Sequence, residues 1–378
     1  MANPYFRYYS TDIAEGITLT GQYIIKYIGK EINQFLAKKL KIENFDGVIS
    51  SDTDSVMLCL DELIKKVIPD GTPINKIIDF IDKFSKTVLE PEVKQKFIEL
   101  ADYLNAFENK MDMKREAIAD RGIWRAKKNY IIQVYDNEGV RYNEPYLKAV
   151  GIETAKSSTP EIVRKALKKS LNVLLNQGEE DIHKFVKEFR QEFMAAPIEQ
   201  ISFPRGVNDI DKWLRADGSW ESGAPIHVKA SIKYNELLRK TGLINKYPLI
   251  HNGDKIKFVY LKTPNPTRNN AIAILNFLHK EFELDDYIDK NLQFDKTFLE
   301  PLKSFTNILS WTTEYQNTLT SFFGDEEVES NQKYNGPVII ENAKPEIPNK
   351  NKLTPEKPRP APIKRTKKEK PSVDYFFQ

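Results

Sequence analysis

Several things are scarce in this 378-residue chain, and each scarcity narrows the options. There is one cysteine, Cys59, so no disulfide framework can form within the chain, and a reducing, cytosolic setting is expected. Cys59 sits in an apolar run and reads as a small core residue. The four histidines, His183, His227, His251 and His279, are scattered without ligand spacing, which gives no zinc site and leaves them as surface or packing residues. No apolar run approaches membrane-spanning length, and the opening Met-Ala-Asn-Pro-Tyr is not expected to be a signal peptide, so no membrane partner is expected. A net charge of +3 gives no global basic field, so any nucleic-acid surface must come from local clustering of Lys and Arg.

What is present is length enough for two or three domains, and patterns that divide it. Thr11-Asp12 offers an N-cap, and Ile13, Ile17, Ile24, Ile28, Ile32 and Phe35 follow at helical spacing, predicting one long helix to about Leu40. A second helical region is predicted from Pro73 to Leu104, and strand-like runs joined by a turn at Asn137-Glu138-Gly139 fill Met113 to Val150. Ser157-Ser158-Thr159-Pro160 predicts a helix start, capped by hydroxyls with Pro in the first turn. Helix is expected from there to about Phe193, a short strand from Gly253 to Leu261, and more helix between Asn269 and Phe323. Antiparallel strands with flanking helices predict an α+β fold, with a mostly helical second part. After Gly324 eight prolines and the basic block Lys364 to Lys370 predict a disordered tail, which ends in an aromatic peptide that suits docking.

Four constellations carry chemistry. The first is Ser51-Asp52-Thr53-Asp54-Ser55 between the apolar runs at Val48-Ile49 and Val56 to Leu60, a hairpin tip bearing two carboxylates. Short carboxylates on a rigid tip suit a hard cation such as magnesium (Mg2+) and hence phosphoryl transfer, with Asp54 and Asp52 as metal-binding and catalytic candidates. Asp and Ser are also ordinary turn residues, so the pair alone leaves both readings open. The second is Arg125, Lys127, Lys128 and Tyr130 beside Trp124, the cations and aromatics that phosphate contact and base or sugar packing use, or else a solvated strand entry. The third is Gln316, Leu319, Phe322 and Phe323, with the spacing of a sliding-clamp peptide that makes one helical turn in an apolar pocket; an amphipathic helix end would share that pattern. The fourth, at the end of the tail, is Val373, Phe376 and Phe377, which repeat the spacing and could raise clamp occupancy through effective concentration.

Together these residues resemble the C-terminal part of a family B replicative DNA polymerase of the T-even-type phage kind. Asn3-Pro-Tyr-Phe-Arg7-Tyr8-Tyr9 looks like the segment after that family's fingers-helix motif. Asp52-Thr53-Asp54-Ser55 matches its third palm motif, with Ser50 and Ser51 where Tyr-Gly is usual. Lys127-Lys128-Asn129-Tyr130 is similar to its Lys-Lys-Arg-Tyr element, with Asn129 in place of the Arg. Gly151 to Pro160 closely resembles the palm-to-thumb junction, and Phe298-Leu-Glu-Pro301-Leu with the clamp-like end fits the family's C-terminus.

The resemblance implies residues 1–150 as the later part of fingers and palm with the catalytic hairpin, 151–324 as thumb, and 325–378 as tail. It implies a DNA-directed DNA polymerase, acting on primer-template DNA and dNTP with Mg2+, docked on a sliding clamp, in a host cytoplasm during viral DNA replication. The family's exonuclease, first palm motif and fingers-helix residues have no counterpart in the sequence. Either a split or a truncated reading frame would account for that; the expected enzyme is the second half of a split polymerase, inactive without an N-terminal polymerase subunit that carries them. The alternative is a non-catalytic DNA- and clamp-binding accessory protein derived from a polymerase fragment.

Overall fold

The computed structural model describes residues 1–154, 156–215 and 218–315. All lie in the first of two units, Met1–Glu327; the clamp-like peptides at Gln316 to Phe323 and Val373 to Phe377, and the basic tail, lie outside the described residues.

The long helix α1, Thr11–Leu40, starts one residue earlier than the sequence reading: Ser10 is the cap, its Oγ accepting the Ile13 N–H at 3.3 Å. It stops where Lys41 turns left-handed, with Lys38 and Lys39 placed favourably at the negative end of the helix dipole. Ile28, Ile32, Leu36 and Leu40, four residues apart, form its buried seam. They meet Val93 and Phe97 of α4 (Glu90–Tyr103), which continues α3 (Ile74–Phe84) through one wide turn at Ser85–Leu89. The earlier half of α1 has no such seam: Ile13 and Ile17 are 51% and 61% exposed, beside exposed Tyr5, Phe6, Tyr8 and Tyr9.

Against α1 lies the two-stranded hairpin β1 (Val48–Asp52) and β2 (Ser55–Leu58), followed by the short α2 (Asp61–Val67). Gly29 of α1 lies next to Val48, where a Cβ would make only ordinary contact at 3.9 Å. Cys59, just past β2, is half-buried, and burial pushes its thiol pKa up. A second antiparallel sheet follows, β3 (Ala117–Ala126), β4 (Asn129–Asn137) and β5 (Val140–Val150), in simple meander order. Glu138 and Gly139 both take positive φ, the turn geometry that matches strand twist. Asp136 fixes that turn by accepting the Gly139 N–H at 3.0 Å, and it is itself held by Arg141 at 3.2 Å and by Arg115. Arg115 also reaches Asp82 of α3 at 2.5 Å, clasping helix and sheet together.

Ile123 and Ile131 of this sheet, with Ile152, enter a common core with α5 (Glu161–Asn176) and α6 (Glu179–Ala195). The expected hydroxyl cap on α5 is not formed: Pro160 takes the cap position, no side chain bonds the free N–H groups, and Thr159 is buried instead. After the short helices α7 (Ile198–Ile201) and α8 (Ile210–Trp213), α9 (Ile226–Lys240) packs on a third antiparallel sheet. That sheet is β6 (Phe203–Gly206), β7 (Lys255–Tyr260) and β8 (Ala271–Ile274). Here the sequence reading is corrected: after Asn269 comes the strand Ala271–Ile274, then short 3₁₀ turns, and helix resumes only at α10 (Lys290–Phe294) and α11 (Glu300–Thr306). A four-residue apolar run such as Ala271–Ile274, buried throughout, carries no period that separates strand from helix. The fold is thus mixed α and β with antiparallel sheets, as expected.

Candidate active site: a carboxylate hairpin beside a basic turn

The tip of β1–β2 is a two-residue turn, with Asp52 paired to Ser55. The Asp54 N–H donates to the Asp52 carbonyl at 2.6 Å and Ser55 Oγ donates to the same oxygen at 3.2 Å. Thr53 takes φ +54°, a conformation that β-branched residues rarely hold and that costs roughly 1–3 kcal/mol. The turn therefore presents both carboxylates at one end of the sheet. Asp54 is exposed, whereas Asp52 is half-buried and accepts from Thr53 Oγ1 at 3.1 Å.

A second two-residue turn faces it. Lys127 and Lys128 connect β3 to β4, with Lys128 at φ +59° and its Nζ 3.3 Å from Asp52 Oδ1. The ion pair is largely solvated, so it orients the lysine more than it stabilises the fold. Gly151, just after β5, sets this turn's position. Its φ is +69°, and a Cβ there would fall 2.0 Å from the Lys128 carbonyl oxygen, so only glycine lets the junction pass beneath the turn. Asn129 Nδ2 donates to the Gly151 carbonyl at 3.3 Å, giving a structural partner to the residue that departs from the resembled motif.

The two turns are joined a second time, deeper in. Trp124 on β3 donates from Nε1 to the Met57 sulfur on β2 at 3.1 Å and stacks on Tyr130 across the strands, 6.1 Å between ring centres. Burial raises the Tyr130 pKa; Lys148 opposes the shift, and Glu116 and Asp52 add to it. Glu116 and Lys148, 2.8 Å apart, thus flank the site although the sequence reading singled out neither. They come from opposite edges of the sheet, and only strand register brings them together.

Arg125 goes elsewhere. It points away from the Lys127–Lys128 turn to α11, donating to Ser304 Oγ at 2.6 Å and lying over the Phe305 ring. Of the sequence-predicted residues, then, Asp52, Asp54, Lys127, Lys128 and Tyr130 come together and Arg125 does not.

The donor set fits a hard divalent cation in kind, since both groups are carboxylates with oxygens open to solvent. It does not fill a coordination sphere: among the described residues no group of three or more His, Cys, Asp or Glu side chains is placed to hold a metal ion. No helix of the described residues is long and apolar enough to cross a membrane.

No protein-family model matches the chain. Two phage proteins do. Over 338 residues, 86% of this chain, it is 33% identical to the DNA-directed DNA polymerase of Enterobacteria phage T4. Over 337 residues, 85% of this chain, it is 33% identical to the DNA-directed DNA polymerase of Escherichia phage RB69. The chain spans 37% of the length of each of these curated relatives. Its sequence is therefore like that of T-even-type phage polymerases along most of its own length, and it corresponds to a little over a third of theirs.

Proposed function

We propose that this chain is the C-terminal subunit of a two-chain DNA-directed DNA polymerase, contributing half of the palm, the thumb and the clamp-docking end. The observation that carries the reading is the Asp52–Asp54 tip held against the Lys127–Lys128 turn by the glycine at 151. Asp54, with Asp52 in support, would hold Mg2+, which when bound neutralises phosphate oxygens and activates a primer 3′-hydroxyl. Lys127 and Lys128 would pair with backbone phosphates of primer-template DNA, and Tyr130, locked by Trp124, would pack against the primer end. Two carboxylates are too few for that chemistry, so an N-terminal polymerase subunit would supply a further one, together with the dNTP-binding residues. The exposed apolar half of α1 supports such a counterpart. Gln316, Leu319, Phe322 and Phe323, and Val373, Phe376 and Phe377, would dock on a sliding clamp.

Primer extension with Mg2+ and nucleotides tests this. The chain alone is expected to be inactive, and its mixture with the N-terminal counterpart active. Asp54→Ala in the pair should lower synthesis about 100-fold or more while leaving DNA affinity unchanged. Synthesis that survives Asp54→Ala removes that residue from the metal site. DNA binding by a pair that never synthesises would instead favour the non-catalytic accessory protein.

A further inference from the structure

Asp52 and Asp54 share one turn but not one situation. The Asp54 carboxylate is exposed and has no hydrogen-bond or ion-pair partner among the described residues. Asp52 is half-buried, and a single oxygen, Oδ1, takes both of its side-chain donors: Thr53 Oγ1 at 3.1 Å and the Lys128 ammonium at 3.3 Å. The facing turn is divided in the same way. Lys127 has no carboxylate partner among the described residues, whereas Lys128 reaches across to the hairpin.

The two ends of Lys128 differ in freedom. Its backbone is held at φ +59° above Gly151, where a side chain has no room, so the root cannot follow the ammonium. Its side chain is 60% exposed, and that of Asp52 32%. A solvated pair of this kind is worth a factor of about 5 at most in an equilibrium, so it yields to a stronger charge. With a dication beside Asp54, the Asp52 carboxylate is attracted and the Lys128 ammonium repelled, and both effects open the pair. The long stem then lets the ammonium swing into water while the turn stays where it is.

We propose that Lys128 is the stand-in cation of the carboxylate hairpin: it neutralises Asp52 while no metal is bound and gives that carboxylate up when a divalent cation is bound beside Asp54. This deepens the polymerase reading and rests on it for the metal. It adds a coupling between the two turns: Lys128 is free for another anion chiefly in the metal-bound state, and by linkage an anion that draws Lys128 away tightens metal binding. Lys128 acts on the metal through Asp52 and is in this respect a positioning residue.

The test is Mn2+ binding to the full chain, with Mn2+ as the probe for a hard dication and its free concentration read by electron paramagnetic resonance. Physiological ionic strength is used, where exposed charges more than about 8 Å apart are screened from one another. Lys128→Met, which keeps the stem and removes the charge, is expected to tighten Mn2+ binding about fivefold. Lys128→Arg, whose fork holds a carboxylate more firmly, is expected to weaken it below the wild-type value. In Asp52→Asn the contest is gone, so adding Lys128→Met there should change the affinity less than about twofold. The proposal is overturned if both Lys128 variants bind Mn2+ like wild type. It is equally overturned if Lys128→Met brings the same gain with and without Asp52, which is plain repulsion by a nearby charge. Asp54→Ala separates this from the reading beneath it. Mn2+ binding that is absent, or that Asp54→Ala leaves unchanged, removes the metal assignment and the stand-in role together, whereas an Asp54-dependent site indifferent to Lys128 removes the stand-in role alone.

Discussion

Residues 151–315 and the surroundings of the carboxylate hairpin are built to different standards of closure. In the former, Phe189, Phe193, Phe294 and Phe298 interlock edge-to-face and tilted, with Phe189 and Phe298 4.7 Å apart, and every residue of β8 is buried. In the latter, no residue of β1 or β2 beyond the exposed Ile49 departs from half-burial, the sheet has only two strands, and half of α1 shows apolar residues to solvent. An isolated two-stranded ribbon is marginal in water. Here it is stabilised by α1, by Trp124 and by the Lys128 turn. The difference teaches that the chain's scaffold is self-sufficient where it would grip a duplex and open where the chemistry would occur. That is the pattern expected if the active centre is completed from outside.

The largest expected effect separates the two regions directly. Phe298→Ala should lower unfolding free energy by about 3–5 kcal/mol, because a fully buried aromatic is removed from a dense cluster. Val56→Ala on β2, at a half-buried position, should cost about 1 kcal/mol. Denaturant titration measures both. Equal losses would show the hairpin to be as tightly closed as the core around Phe298 and would break the comparison.

The parts most legible in the sequence were those with a period or a turn signature. The long α1, the Asn137 to Gly139 turn and the Asp52–Asp54 tip all follow from local pattern, as does the α+β class. Four things could not be read. Ala271 to Ile274 has too short an apolar run to declare itself a strand until β7 pairs with it. Arg125 shares a segment with Lys127 and Lys128, but strand alternation and the packing of α11 turn it to the other side. Arg205 lies 80 positions from Arg125, and only the chain's return through β6 places both on one cleft. Glu116 and Lys148 are hidden for the same reason, since a register is a property of the folded sheet and not of either strand alone.

A smaller effect concerns pH, and it arises within residues 151–315. His279 is buried, bonded through Nε2 to the Tyr234 hydroxyl at 2.9 Å and stacked on Tyr247, while its Nδ1 has no partner. Burial lowers its pKa below 6.5, with Glu281 opposing and Lys246 reinforcing the shift, and burial also raises the Tyr234 hydroxyl to about 12. The folded state therefore binds fewer protons than the unfolded chain. The associated stability is fully present above about pH 6.5 and declines as pH falls through the ordinary histidine range toward the depressed folded value. Asp82, held below 3.8 chiefly by Lys86 and also by Arg115, acts only in a lower window. Melting temperatures between pH 7.5 and 5.5 should fall for the wild type and fall less for His279→Gln. An unchanged slope would mean that this histidine is solvated in the folded chain.

The smallest expected effect on stability is the most searching. Ile13 and Ile17 touch no buried cluster, so changing both to Gln should alter the unfolding free energy of the chain alone by no more than about 0.5 kcal/mol. If the N-terminal counterpart covers this face, the same double change should weaken association of the two chains about tenfold, because apolar anchors at a desolvated interface dominate its energy. Stability by denaturant titration and affinity by calorimetry then answer separate questions. A loss of several kcal/mol in the isolated chain would mean that the early half of α1 is packed internally, and the contrast between the two regions would vanish. Unchanged stability with unchanged affinity would leave this face open but put the complement on another surface, the free edges of the β1–β2 sheet being the next place to probe. Only near-silent stability combined with weakened association ties the exposed helix to the proposed N-terminal counterpart.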